Sequence, residues 1–303
     1  MSHRRFIALG TASQVPTRER NHNGYFLRWD DEGFLFDPGE GTQRQMIFAD
    51  LSASQITKIF ITHFHGDHSL GLAGIFQRLS LDRVPQTVQV FYPASGQKYF
   101  ENLKNASIYH NLANIEEIPI SIEGVIFKGE NFSIEAKKLN HTVESWGYRV
   151  VENDSFTMLP EKLVEFGVKG KNIGKLKRDG KLEIDGQIIK VEECGVFKKG
   201  QIFAFVMDTR ICANAFRLAE NADLFVCEST YLQAETADAV KNGHLTAAQA
   251  AEIAKESNAN LLVLTHFSQR YQSIKDFVKE AKVIFPNSIA VKDGDFVDLP
   301  KRK

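Results

Sequence analysis

Three histidines and an aspartate, His63, His65, Asp67 and His68, fall within six positions directly after the apolar run 59–61. Residues two apart on an extended chain point the same way, so the His63 and His65 side chains share one direction. Imidazole and carboxylate groups are preferred ligands of zinc and similar divalent metals. A lone histidine is usually structural, but four possible ligands at this spacing predict a metal site at a strand end.

Further side chains of the same kinds follow apolar runs elsewhere in the chain. The runs at 132–139, 202–206 and 261–264 are followed by His141, Asp208 and His266. If these strand ends meet at one edge of a sheet, the seven candidate ligands converge there. One zinc needs about four ligands, so seven predict two metals that share a bridging carboxylate, for which Asp208 is the natural candidate. Metal pairs about 3.5–4 Å apart hydrolyse phosphodiesters or amides, since a water between them loses its proton near neutral pH.

The elements that would position these residues are predicted from the apolar pattern. Runs rich in Phe, Ile and Val predict buried strands at 6–9, 34–36, 59–61, 88–92, 202–206, 224–226 and 261–264. Helices are predicted over 69–81, 247–257 and 271–285, the second with a capping-box signature at Thr246 and Gln249. Strands alternating with helices predict an α/β layered fold, and the successive strands in 5–37 predict mixed sheets.

Composition restricts the class of protein. The chain has 303 residues, 43% hydrophobic and 25% charged, which excludes a disordered, collagenous or fibrous protein. The formal net charge is −1, so any nucleic-acid binding must depend on local basic patches. Three widely spaced cysteines, no apolar leader at the N-terminus and no apolar run of membrane-spanning length predict a cytoplasmic protein without a membrane partner.

One basic segment stands apart from the predicted core. Residues 168–181 contain six basic residues, one acid and three glycines. This composition predicts an exposed, mobile insertion, and its simplest form is a solvated hairpin and loop.

The histidine cluster, together with His141, Asp208 and His266, resembles the motif set of the metallo-β-lactamase superfamily. The resemblance implies a four-layer αβ/βα sandwich with a dinuclear site at one edge of its two sheets. Segments 9–21, 37–43, 140–148 and 266–271 narrow the resemblance to the ribonuclease Z family of tRNA 3′-end-processing endoribonucleases. It covers nearly the whole chain and implies one domain over 1–303, with a protruding basic arm at about 153–200.

The resemblance also implies roles for individual residues. It assigns His63, His65 and His141 to a first zinc, Asp67, His68 and His266 to a second, and Asp208 to the bridge between them. Asp67 is also the implied proton acceptor for the attacking water, and His244 the acid that protonates the leaving 3′ oxygen. Glu228 is the implied partner of His244, because a carboxylate raises the pKa of an imidazole and fixes its tautomer.

Contacts with precursor tRNA are expected from two regions. The implied candidates outside the arm are Arg18, Arg20, Asn21 and Arg270, and those on the arm are Lys169, Lys171, Lys175, Lys177 and Arg178. Arms of this family often carry a proline- and glycine-rich stretch, whereas 168–181 contains no proline. The segment keeps Gly174-Lys175-Leu176 and its basic charge, which would allow an electrostatic grip on phosphates. The family resemblance further implies a homodimer in which one subunit's arm serves the other's active site.

Three alternatives remain open at this level. Mixed nitrogen and oxygen ligands accept zinc, manganese or iron. A small-molecule hydrolase, such as a cyclic-nucleotide phosphodiesterase or sulfatase, would use the same metals without the basic arm. A non-catalytic RNA-binding module is disfavoured, because buried histidines and aspartates without a metal would be costly.

Overall fold

The computed structural model describes residues 4–301. The strands in that range are β1 (Arg4–Gly10), β2 (Gly24–Trp29), β3 (Glu32–Phe36), β4 (Lys58–Phe60), β5 (Val88–Pro93), β6 (Ile115–Ile120), β7 (Gly124–Lys128), β8 (Phe132–Leu139), β9 (Ser145–Glu152), β10 (Ser155–Met158), β11 (Lys181–Ile184), β12 (Gln187–Lys190), β13 (Gly195–Lys198), β14 (Ile202–Val206), β15 (Leu224–Glu228), β16 (Leu262–Thr265), β17 (Ser288–Ala290) and β18 (Phe296–Asp298). The α-helices are α1 (Thr42–Phe48), α2 (Gly66–Ser69), α3 (Leu72–Leu81), α4 (Gln97–Lys104), α5 (Pro160–Glu165), α6 (Lys171–Asp179), α7 (Val191–Cys194), α8 (Ala213–Ala219), α9 (Thr236–Asn242), α10 (Ala247–Glu256) and α11 (Lys275–Ile284).

Two seven-stranded sheets form the centre of the molecule. The first has the order β18-β1-β2-β3-β4-β5-β6 and the second β17-β16-β15-β14-β9-β8-β7. In the first sheet β1, β2 and β3 pair antiparallel, whereas β3 to β6 pair parallel. The second sheet joins a parallel half, β14 to β17, to an antiparallel half. The sheets are therefore mixed, as the sequence predicts.

The sheets pack face to face, and helices cover their outer faces. Aromatic rings fill the space between the sheets, for example Phe36 with its ring centroid 4.9 Å from Phe60 and 4.6 Å from Phe205. Helices α1, α3 and α4 pack on the first sheet, and α8, α10 and α11 pack on the second. The four-layer α/β sandwich predicted from the sequence is confirmed.

The predicted helices occur with shorter bounds than the sequence pattern suggested. The segment 69–81 is divided, since α2 ends at Ser69 and α3 begins at Leu72. The capping box of α10 is present, with the Thr246 hydroxyl accepting from the Gln249 amide N–H. The third predicted helix begins at Lys275. Within 4–301, no helix has the length and apolar character needed to cross a membrane.

The prediction of a loop at 168–181 is wrong, because much of this segment forms helix α6. Ile173 and Leu176, three residues apart, lie on one face of α6, where Leu176 is fully buried and Ile173 packs alongside. They join a small apolar cluster of their own with Leu163, Val168, Leu182, Ile189, Val191 and Cys194. The segment 153–200 thus has its own packed interior, which explains why basic residues dominate only its outer face.

Candidate metal centre

The candidate ligands lie where strands of both sheets end at the same edge. His63 follows β4, Asp208 follows β14 and His266 follows β16, while His141 lies in the turn between β8 and β9. The backbone turns sharply at two of these positions, since φ is +38° at Asp208 and +63° at His266. Such conformations are uncommon for residues other than glycine and concentrate at functional sites.

The structure brings all seven predicted ligands together in two groups. The ligand atoms of His63, His65, His141 and Asp208 lie within 4.8 Å of one another. The same holds for the group Asp67, His68 and His266. Asp208 adjoins both groups, because its Oδ2 lies 3.6 Å from His63 Nε2 and its Oδ1 lies 3.1 Å from His266 Nε2. It therefore occupies the position expected of a bridging carboxylate.

Four of the imidazoles are fixed by a hydrogen bond from the nitrogen that points away from the centre. His63 Nδ1 contacts Thr62 Oγ1 at 3.0 Å, and His68 Nδ1 contacts Asp37 Oδ2 at 2.9 Å. The other two contacts are His141 Nδ1 with the Gly243 carbonyl at 2.8 Å and His266 Nδ1 with Thr230 Oγ1 at 2.7 Å. In proteins such outer bonds set the tautomer of metal-binding histidines. Each of these Nδ1 atoms then carries the proton, and each Nε2 presents a lone pair to the centre.

The donor set fits a divalent cation. With Nδ1 protonated, the lone pairs of His266 Nε2 and Asp208 Oδ1 face each other at 3.1 Å, and both atoms are buried without a hydrogen-bond partner. His63 Nε2 and His65 Nδ1 approach within 2.9 Å, close enough to share one proton or one cation. Facing lone pairs repel unless a cation or a proton lies between them, so this geometry favours metal binding.

The electrostatics of His63 and Asp208 agree with this. At His68, burial acts to lower the pKa, but Asp208, Asp67 and Asp37 raise it well above its usual value, so a proton occupies that ring where a cation would otherwise bind. Burial lowers the pKa of His63 well below its usual value, and the neighbouring His68 lowers it further, so the ring is neutral and able to bind metal. Burial acts to raise the pKa of Asp208, but the surrounding imidazoles of His266, His68 and His244 lower it well below its usual range. The carboxylate is therefore ionised.

His244 and Glu228 form a second polar unit beside the ligands. Glu228, at the end of β15, is fully buried, and its Oε1 lies 3.1 Å from His244 Nδ1. Burial acts to lower the pKa of His244, but Glu228 and Asp208 outweigh it and raise the pKa to about 9. His244 also forms a third group of possible ligands with Asp208 and His266.

A cleft of about 540 Å³ opens over the ligands. Its walls include His65, Asp67, His141, Asp208 and His244. The loop after β1 forms another wall, and there the Gln14 amide N–H donates to Asp67 Oδ2 at 2.8 Å. A substrate in this cleft would contact both ligand groups and His244.

The predicted tRNA-contacting residues outside the arm differ in placement. Arg18 is exposed, and Arg270 is exposed beside Asp238 at 2.9 Å and over the Tyr231 ring. Asn21 Nδ2 donates to the Glu40 carbonyl at 2.7 Å.

Arg20 is only 8% exposed, and its guanidinium donates to the carbonyls of Ser268 and Tyr271. This placement assigns Arg20 a role in holding the loop and gives no support to direct RNA contact. The arm residues Lys169, Lys171, Lys175, Lys177 and Arg178 are all exposed.

The sequence analysis did not identify the residues that hold the ligands. Asp37 is fully buried and accepts from His68 Nδ1 and from the Thr62 hydroxyl. At Gly243 φ is +83°, and a Cβ there would lie 2.8 Å from His141 Nδ1, so glycine is required. Thr230 lies between His266 and Glu228. A sequence signal existed for Asp37, which follows an apolar run as Asp208 does.

Comparison with known proteins agrees with this architecture. The profile of the metallo-beta-lactamase superfamily matches residues 17–142. Ribonuclease Z of Salinispora arenicola is 51% identical over 100% of this chain and 98% of its own length, and that of Streptomyces coelicolor is 48% identical over 100% of both. The crystal structure of human tRNase Z, short form, superposes with a TM-score of 0.72 at 26% identity, covering 98% of this chain and 100% of the human one.

The family resemblance, the fold class and the enzyme class predicted from the sequence are confirmed. The chain belongs to the ribonuclease Z family of endoribonucleases, metal-dependent hydrolases of phosphodiester bonds within the metallo-β-lactamase superfamily.

Proposed function

We propose that this protein is a zinc-dependent endoribonuclease that removes the 3′ trailer from precursor tRNA. It cuts after the discriminator base and leaves a 3′-hydroxyl on the tRNA and a 5′-phosphate on the trailer. One observation carries the proposal: Asp208 belongs to one ligand group and adjoins the other, and His244, backed by Glu228, lines the same cleft. The similarity to ribonucleases Z and to a human tRNase Z supports this substrate.

Seven residues of the chain are assigned to metal binding. His63, His65 and His141 would hold one metal, Asp67, His68 and His266 a second, and Asp208 both. Bound metals would supply the charge that polarises the scissile phosphate and lowers the pKa of water. Zinc suits the nitrogen-rich set, and manganese or iron would also be accepted.

Proton transfer is assigned to two side chains that line the cleft. Asp67, held by the Gln14 amide, accepts the proton of the attacking water. His244 donates a proton to the leaving 3′ oxygen, which is a poor leaving group as an alkoxide. Glu228 fixes the orientation of His244 and favours its protonated form.

The position of the arm supports a homodimeric enzyme. The arm leaves the second sheet after Glu152 and returns at Ile202, whereas His141 and Asp208 lie at the opposite ends of the same strands. The eight residues of β9 span about 25 Å, so the arm begins far from its own cleft. An arm placed in this way would reach substrate bound by a partner subunit, with its exposed lysines against tRNA phosphates. We expect this enzyme in the cytoplasm.

The test is cleavage of a labelled precursor tRNA carrying a short 3′ trailer, with and without a chelator, mapped to the nucleotide. A single metal-dependent cut after the discriminator base is the expected result. Metal analysis on the same sample should give two metals per chain.

Two other outcomes would overturn the proposal. Rapid hydrolysis of small diesters without any cut in precursor tRNA would assign the protein to the small-molecule hydrolases. RNA binding without bound metal or hydrolysis would indicate a binding module.

A further inference from the structure

The Thr230 hydroxyl lies between the candidate ligand His266 and the His244–Glu228 pair. It is 2.6 Å from Glu228 Oε2, 2.7 Å from His266 Nδ1 and 3.3 Å from His244 Nδ1. Thr230 is 2% exposed, and Glu228 and His266 are fully buried. One hydroxyl therefore joins three polar groups that the described reaction uses separately.

The direction of each bond follows from counting donors and acceptors. An ionised carboxylate can only accept, so the single hydroxyl proton of Thr230 goes to Glu228 Oε2. The hydroxyl oxygen then has only lone pairs to offer, and His266 Nδ1 must be the donor in their shared bond. This places the remaining lone pair of His266 on Nε2, the atom that faces Asp208.

The other oxygen of Glu228 fixes the second imidazole. Glu228 Oε1 accepts from the Thr209 backbone N–H at 2.7 Å and lies 3.1 Å from His244 Nδ1. Oε2 accepts from the Thr230 hydroxyl at 2.6 Å and, more weakly, from the Thr230 backbone N–H at 3.3 Å, and these bonds orient the carboxylate toward His244. His244 Nδ1 is thereby kept as a donor, and Nε2 is the nitrogen left to donate to a substrate.

We infer that Thr230 is a positioning residue that fixes, through one hydroxyl, both the metal-binding tautomer of His266 and the orientation of the Glu228–His244 acid. The inference rests on the proposed function and adds that ligand geometry and leaving-group protonation depend on the same side chain.

A similar construction at the other ligand group supports the inference. There the Thr62 hydroxyl donates to Asp37 Oδ2 and contacts His63 Nδ1 at 3.0 Å. In both places a buried threonine hydroxyl connects a ligand histidine to a buried carboxylate. Only the chain at Thr230 continues to a histidine outside the proposed ligands, and this assigns Thr230 its additional role in acid catalysis.

The test compares Thr230→Val, which keeps the shape without the hydroxyl, with Thr230→Ser, which keeps the hydroxyl. Ser229→Ala is the matched control, because Ser229 is a buried neighbour whose hydroxyl donates to the Thr265 carbonyl. Each variant is assayed on precursor tRNA and on bis-(4-nitrophenyl) phosphate, whose leaving group needs no proton. Metal affinity is measured separately by competition with a chelator, and folding by circular dichroism.

We expect Thr230→Val to bind metal about 10–100-fold more weakly, the usual effect of losing an outer partner of a ligand. At saturating metal it should recover hydrolysis of the nitrophenyl diester and remain about 100-fold slow on precursor tRNA. Thr230→Ser, which keeps the hydroxyl, should retain both activities and the metal affinity. Ser229→Ala should behave like the unmodified protein.

Unchanged metal affinity and cleavage in Thr230→Val, or equal damage in Thr230→Ser, would overturn the inference. An equal loss of activity on both substrates at saturating metal would mean that Thr230 acts only on the candidate ligands. That result would contradict its role in acid catalysis. If Thr230→Val does not fold, Thr230→Ala takes its place in the same comparison. Failure of the proposed function is distinguishable, because the unmodified protein would then hydrolyse the nitrophenyl diester without cutting precursor tRNA.

Discussion

At the scale of single residues, two buried carboxylates outside the candidate ligand set orient the candidate ligands. Asp37 accepts from three donors, the backbone N–H and hydroxyl of Thr62 and the Nδ1 of His68. Glu228 has a comparable place on the other sheet, with donors from Thr209, Thr230 and His244. Each sheet thus contributes one buried acid that orders the histidines at its end.

Replacing Asp37 with Asn tests this arrangement. The amide cannot accept from three donors as a charged carboxylate does, so His68 and His63 lose orientation. We expect metal affinity to fall about 10–100-fold, measured by chelator competition. Glu40→Gln in the same turn is the control, since Glu40 is exposed. Equal metal affinity in Asp37→Asn and the unmodified protein would contradict the assigned role.

Replacing His244 with Ala tests its assignment as the acid. We expect cleavage of precursor tRNA to fall about 10²–10⁴-fold, because the leaving oxygen loses its proton donor. Metal content and tRNA affinity should persist, and hydrolysis of bis-(4-nitrophenyl) phosphate should be largely spared. Loss of metal in this variant would instead make His244 a ligand, as its proximity to Asp208 and His266 permits.

The sequence could predict which candidate ligands lie together but not which residues surround them. His63 to His68 form a dense group, and the other three ligands follow apolar runs, so strand ends alone indicated their convergence. Thr230 and Gly243 belong to residue types that are common in loops, and their roles depend on contacts between segments distant in the chain. Arg20 has the same sequence signal as Arg18, and only tertiary packing shows that one is buried and the other exposed.

At the scale of elements, helix α6 shows why composition alone did not predict the secondary structure of the arm. Six basic residues and three glycines suggested a loop, but two apolar residues three positions apart were enough to attach a helix to the small apolar cluster of the arm. Lys171, Lys175 and Arg178 lie four and three residues apart and share the opposite, exposed face. The helix therefore presents a basic stripe.

Neutralising this stripe tests the arm as the phosphate-binding element. We expect Lys171→Gln, Lys175→Gln and Arg178→Gln together to weaken tRNA binding. The slope of log affinity against log salt should flatten by about 2–3, since each phosphate contact contributes roughly 0.7–0.9. The charge-matched control is the triple change to Gln at Lys255, Lys275 and Lys282, all exposed on other helices. An unchanged slope would exclude the arm from phosphate binding.

At the scale of the whole molecule, an ion network around the buried Arg4 joins the two sheets at the edge opposite the candidate metal centre. Arg4 of β1 donates to Asp30 at 2.6 Å and to Glu152 of β9 at 2.7 Å, and its guanidinium lies 4.1 Å from the Trp29 ring centroid. Glu152 also accepts from the Gln201 backbone N–H at 2.8 Å. The network therefore holds both the sheets and the base of the arm.

This network predicts a pH-dependent stability. Burial acts to raise the pKa of Glu152, but Arg4 and the Gln201 N–H lower it below its usual value. Its stabilising effect is thus present above the unfolded pKa of about 4.3 and is lost as the pH falls through the lower folded value. We expect Glu152→Gln to lower the free energy of unfolding at pH 7 by about 1.5–3 kcal/mol.

Denaturant unfolding between pH 3 and pH 7 checks this expectation. The difference between Glu152→Gln and the unmodified protein should shrink toward pH 3, whereas Glu256→Gln, at an exposed helix position, should follow the unmodified protein throughout. A difference that does not vary with pH would mean that the glutamate acts through packing alone.

The number of candidate ligands in the protein depends on how much of the chain has been synthesised. The first sheet contributes His63 to His68, but His141, Asp208 and His266 come from strands of the second sheet. During translation the first group emerges from the ribosome long before His266, so a nascent chain holds only a partial set of ligands. The two groups of candidate ligands can be complete only after β16 has joined the second sheet. If both groups bind metal as proposed, chains that end before His266 lack part of the ligand set and are expected to lack nuclease activity.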